Sequence, residues 1–198
     1  LISKLAYLKI MTVKKILTAP DPFLKQISKP VDEVTKEIQD LMDDMLDTMY
    51  DAPGIGLAAV QIGVPLRVIV MDISWRNEEG IKEPLYFVNP EITVKTKNLS
   101  TYEEGCLSVP DQYAEIDRPE ECEIKFLDYN GKKSTLNAKG LLATCIQHEM
   151  DHLEGILFID HLSNMKRNMI VKKLIKTRKQ SKKAVSYTHL TLPTIVGV

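Results

Sequence analysis

The chain reads as an α+β protein: mixed or antiparallel β-sheets packed around a central helix, with a helix before them and a basic helix after. Three observations predict this. Apolar residues recur at helical spacing between residues 31 and 50. From Leu66 to Lys139 the texture turns to short apolar runs broken by turn dipeptides, and helical spacing returns from Gly140 onward. The 198 residues suffice for one domain with a real core, and 44% hydrophobic with 27% charged residues is ordinary for a globular chain.

The first helix is carried by Val34, Ile38, Leu41, Met42, Met45, Leu46 and Met49, and "DAPG" at 51–54 ends it. The strands follow in "LRVIVMDI", "PLYFVNPEITV" and "AEIDRPEECEIKFLDYNGKKSTLNA", with Asn89-Pro90 and Asn130-Gly131 as turn signals. "GLLATCIQHEMDHLEG" (140–155) is the central helix, with Gly155 placed to close it. "SNMKRNMIVKKLIKTRKQ" is a basic amphipathic helix that Met169, Ile170, Leu174 and Ile175 would pack. One domain is expected over 11–180. Residues 184–198 hold no Lys, Arg, Asp or Glu and read as a terminal strand or, more in keeping with their composition, as an appended segment. Residues 1–10 raise the same question, since Met11 would make a natural start.

The formal net charge of -1 argues for neither nucleic acid nor membrane as a partner of the whole molecule. The charge is unevenly spread: residues 166–183 carry nine Lys and Arg and no acid, which leaves the remainder acidic. Three cysteines, an odd number, speak against a disulfide framework and for a reducing compartment. Neither a transmembrane-length apolar run nor a signal-peptide core is visible, so a cytoplasmic protein is expected.

His148 and His152 stand four residues apart on the central helix and can aim two imidazoles at one ion, with Glu149 beside it to hold a water. Leu141, Cys145, His148 and His152 fall on one face, so an apolar strip runs into the site. A zinc metallopeptidase is the first reading. The metzincin pattern would place a third histidine where Phe158 stands, and the thermolysin pattern wants a later glutamate, whereas none follows Glu154. Asp160, His161 and His189 remain downstream. Upstream, Cys106 in "EEGCLSVP" is favoured, because a thiolate ligates Zn(II) or Fe(II) well and the preceding glycine suggests an unusual backbone. A metal-stabilised RNA-binding module is a rival from another class.

Taken together, "GIGLAAVQIG" (54–63), "EGCLS" (104–108) and "QHEMDH" (147–152) resemble, in order and spacing, the three signature motifs of the peptide deformylases. Those enzymes remove the N-terminal formyl group from newly made bacterial and organellar proteins. The resemblance implies Cys106, His148 and His152 as metal ligands. It implies one divalent ion, generally Fe(II), with Zn, Ni or Co able to substitute. "GIGLAA" also fits a dinucleotide fingerprint, but it follows a helix rather than a strand, so no dinucleotide is expected.

In that reading Glu149 is the proton carrier, while Gln61 and the backbone N–H of Leu107 meet the oxyanion. Gly54, Ile55 and Gly56 pair with an extended N-formylmethionyl peptide. Ile55, Tyr102, Leu141, Thr144 and Cys145 line the methionine pocket. Glu104, held by Arg118, would orient His148. Thr144 is more polar than the aliphatic residue of some relatives, and Tyr113 replaces an arginine of one branch. The basic helix would dock on ribosomal RNA or simply lie solvated.

Overall fold

The computed structural model describes residues 12–76 and 80–188, with side chains through residue 180. Helix α1 (Lys36–Asp51) is followed by strands β1 (Gly56–Ala58), β2 (Val68–Met71), β3 (Leu85–Lys95), β4 (Leu99–Cys106), β5 (Val109–Pro119), β6 (Glu121–Leu127) and β7 (Lys133–Lys139). Helices α2 (Gly140–Leu153) and α3 (Asn164–Thr188) complete the order. Five strands form one sheet in the order β1-β2-β3-β6-β7, and β4 and β5 form a separate hairpin. Every strand pair is antiparallel; the parallel contact is an isolated bridge between Lys29 and Leu66.

The larger sheet carries a helix on each face where β1 and β2 run. Leu57, Val68, Val70 and Val88 pack with Met42, Met45 and Met49 of α1. Their neighbours in the strands, Ala58, Ile69, Met71 and Phe87, pack with Ala143, Cys145 and Ile146 of α2. Covered on both faces, β2 is buried at all four positions, so "VIVM" shows no alternation. Helix α2 thus lies between the sheet and the β4–β5 hairpin, where its polar side chains are also buried.

A third cluster joins Ile116 and Val109 of β5 to Leu157, Phe158 and Ile159, and α3 reaches it with Leu174, Ile170 and Val171. This corrects the expected packing of the basic helix. Met169 is 63% exposed and Ile175 36%, because among the described residues α3 rests mainly on the segment after α2 and on β5.

Asn130-Gly131 makes the expected turn. Asp128 Oδ1 accepts from the N–H groups of Asn130 and Lys132, and Gly131 takes φ 76. Asn89-Pro90 does not turn the chain. It lies inside β3 at a register shift, where Asn89 takes φ 49 and its side-chain amide bonds both backbone groups of Val31. Gly155 follows α2 at φ 70, and a Cβ there would lie 2.5 Å from the Lys25 carbonyl oxygen. Met11 and His189, like residues 1–10 and 189–198 generally, lie outside the described residues.

Candidate metal centre and substrate cleft

Cys106 closes β4 at a register shift and turns into β5, where it faces Val109. That turn delivers the sulfur to α2. One ligand atom from each of Cys106, His148 and His152 lies within 4.8 Å of the others, and Cys106 Sγ stands 3.3 Å from His152 Nε2. The other candidate third ligands do not arrive: His161 bonds Asp151 at 2.7 Å, Asp160 is taken by Lys25, Arg167 and the Leu157 N–H, and His189 is outside the described residues. Ser108 N–H (3.4 Å) and Gln61 Nε2 (3.6 Å) orient the sulfur.

The donor set fits a divalent cation. Thiolate and imidazole suit Zn(II) or Fe(II), and three protein donors leave a position open for chemistry. Burial holds the His152 pKa well below its usual value, so that ring is the neutral base a metal requires. His148 donates from Nδ1 to Glu104 Oε2 at 2.8 Å, which leaves its Nε2 for the cation. Two fully buried atoms here lack a hydrogen-bond partner, Glu149 Oε2 and His152 Nδ1.

Arg118 grips Glu104 by donating from Nε and Nη2, at 2.5 and 3.0 Å, and sends Nη1 to Asp151 Oδ2 at 2.9 Å. Burial alone would raise the Glu104 pKa, but His148 and Arg118 hold it down to about 2, so the carboxylate stays charged. Glu149 has no such arginine. Burial pushes its pKa up to about 7, against the opposing pull of His148.

Gln61 is 1% exposed. Its Oε1 must accept from the Ala58 N–H at 2.8 Å, which fixes the amide so that Nε2 points to Cys106 and to Ser108 Oγ at 3.0 Å. It therefore sits behind the sulfur rather than in the wall of the cleft.

A cleft of about 650 Å³ opens over the site. Leu107 and each expected substrate residue line it: Gly54, Ile55, Gly56, Tyr102, Leu141, Thr144 and Cys145, together with His148 and Glu149. Leu141 is 43% exposed at its mouth, whereas Cys145 and Thr144 are buried. Two neighbours of the site, Asp151 and Ser108, fall inside the quoted motifs but take no role from them, since their partners lie 33 and 47 residues away.

The description "Polypeptide deformylase" belongs to the family model that matches residues 13–168. The chain belongs to the peptide deformylase family. The peptide deformylase of Pelagibacter ubique (strain HTCC1062) is 68% identical over 168 residues, covering 85% of this chain and 96% of that protein. That of Agrobacterium fabrum (strain C58) is 55% identical over 166 residues, covering 84% and 96%. Among solved structures, the Ehrlichia chaffeensis peptide deformylase in complex with actinonin superposes with TM-score 0.80 at 40% identity, covering 84% of this chain and 98% of that one. A Legionella pneumophila deformylase gives 0.79 at 46%, covering 86% and 98%. Peptide deformylases are metal-dependent hydrolases that remove the N-terminal formyl group of nascent polypeptides, and this chain is one of them. The metallopeptidase reading is set aside. No helix among the described residues is long and apolar enough to cross a membrane.

Proposed function

We propose that Cys106, His148 and His152 hold one Fe(II) ion, replaceable by Zn, Ni or Co, and that Glu149 moves the proton of deformylation. The convergence of the three donors beside the unpaired Glu149 Oε2 supports this reading most directly. When bound, the cation acts as a Lewis acid, lowering the pKa of water to about 7 at some zinc sites.

The chain's own residues do the rest. Glu149 accepts a proton from the water that attacks the formyl carbon. A carboxylate whose proton affinity lies near neutrality can take that proton and then hand it to the departing amine. Formate and a free amino terminus leave. Gln61 Nε2 and the Leu107 N–H stabilise the oxyanion, and each such donor is worth ~100-fold or more. Gln61 must exchange its present bond to Ser108 or Cys106 for the oxyanion. Gly54–Gly56 pair with the extended peptide. Ile55, Tyr102, Leu141, Thr144 and Cys145 receive the methionine side chain. Glu104 and Arg118 keep the His148 ring in register.

The same reading places the enzyme in the cytoplasm, as one domain over 11–180, with α3 steering it to the ribosome. Formate release from formyl-Met-Ala-Ser by protein loaded anaerobically with Fe(II) tests the assignment. Retention of that activity in Cys106→Ala would end it. Pelleting with ribosomes at low salt and not at high salt is expected; no association at low salt removes the role of α3.

A further inference from the structure

The loop after β2 fastens the backbone that leads into β1. The buried Asp72 carboxylate organises that loop. It accepts from Tyr50 Oη at 2.6 Å, Ser74 N at 2.9 Å, Ser74 Oγ at 2.8 Å, Trp75 N at 3.1 Å and Glu83 N at 2.9 Å. So anchored, the loop reaches three consecutive carbonyls. Arg76 Nη1 donates to the Pro53 oxygen at 3.2 Å, Trp75 Nε1 to that of Gly54 at 2.9 Å, and the Asp72 N–H to that of Ile55 at 2.9 Å. The indole also stands edge-on to Tyr50, with centroids 5.2 Å apart.

The residue held is placed where small movements matter. Gly54 is buried, and a Cβ on it would lie 2.7 Å from Leu107 Cδ1, so its backbone nearly touches the side chain of the proposed oxyanion donor. A shift of Gly54 would therefore change both the peptide edge facing the cleft and the seat of Leu107.

We propose that Trp75 is a positioning residue of the deformylation reaction: its indole N–H, by holding the Gly54 carbonyl, sets the backbone edge on which the residues downstream of the formyl-methionine are aligned. This rests on residues 54–56 being the substrate lane. The side chain touches no reacting atom; it acts through Gly54.

Substrate length tests it. On the native chain, kcat/KM should rise from formyl-Met to formyl-Met-Ala-Ser, because only the longer substrate has backbone to pair. Trp75→Phe keeps the ring and removes the N–H. It should lose about tenfold on the longer substrate, mostly in KM, and clearly less on formyl-Met. A native chain with no length gain refutes the lane and this inference with it. A native gain kept in full by W75F, or equal losses on both substrates, overturns the role of Trp75 alone. A second readout needs no variant. Trp75 is the sole tryptophan, and titration with Met-Ala-Ser should shift its emission saturably; an unchanged emission overturns the proposal, including in the event that W75F does not fold.

Discussion

Gly56→Ala should separate catalysis from stability in this enzyme. The φ of Gly56 lies outside the left-handed region, so alanine meets no backbone strain there; the obstacle is space. An added Cβ would sit 2.9 Å from Glu149 Cδ and 3.1 Å from Cys145 Sγ, with Glu149 Oε1 closer still. Ordinary contact begins near ~3.4 Å, so Oε1, the nearest atom, must retreat by about 1 Å. Glu149 Oε2 has no hydrogen bond to lose, and the group is the end of a flexible side chain, so the fold gives way near the low end of the ~1–3 kcal/mol that an extra buried methyl costs. Catalysis does not, because displacing a proton carrier on this scale costs on the order of 100-fold. Formate release should therefore fall about 100-fold in kcat, while metal content and the melting midpoint stay near those of the native chain. A variant with native kcat would refute the placing of Glu149 at the reacting centre. A variant that melts far lower would refute the claim that the side chain yields easily.

Four other outcomes are expected. Glu149→Gln should lose ~100- to 10,000-fold in formate release yet keep its metal by elemental analysis. Glu104→Gln, which takes the charge from the partner of His148, should weaken metal affinity ~10- to 100-fold in a competition titration, whereas a solvated surface carboxylate would leave it unchanged. Stripping the metal with a chelator should abolish activity and speed labelling of Cys106 by a thiol reagent, since the sulfur then loses its ligand bond. Asp160 lies below its ordinary pKa: burial opposes this, but Lys25, the Leu157 N–H and Arg167 prevail. A carboxyl depressed in the folded state contributes stability that is complete above its unfolded pKa, near 3.8, and fades as pH falls through the folded value. Asp160→Asn should thus melt below the native chain at pH 6, and the gap should close as the pH drops below about 4; a gap constant down to pH 3 would count against the network.

The elements that sequence spacing reads correctly are those whose information is local. Four residues on a helix put His148 and His152 on one face whatever surrounds them, and the methionines of α1 repeat with the period of the face they bury. The Asn130-Gly131 turn is likewise written in its own dipeptide. Asn89-Pro90 is the instructive failure. The same pair of residue types becomes a bulge within β3, because Val31 supplies from 58 residues away the bonds that hold Asn89 at positive φ. Met169 fails for a similar reason: an apolar residue in a helical repeat is buried only if another element comes to meet it, and among the described residues Met169 stays 63% exposed.

The sequence by itself determined the reaction class and the order of helices and strands, and it singled out Cys106, His148 and His152 as candidate donors, since motif spacing and hydrophobic period need no knowledge of distant chain. Tertiary structure alone decided that the β4–β5 turn brings the Cys106 sulfur to α2, that Arg118 meets Asp151 as well as Glu104, and that Asp72 and Trp75 hold the backbone at Gly54. These pairings depend on how whole elements pack, with Cys106 and His152 46 positions apart and Arg118 and Asp151 33, which no short window of sequence records.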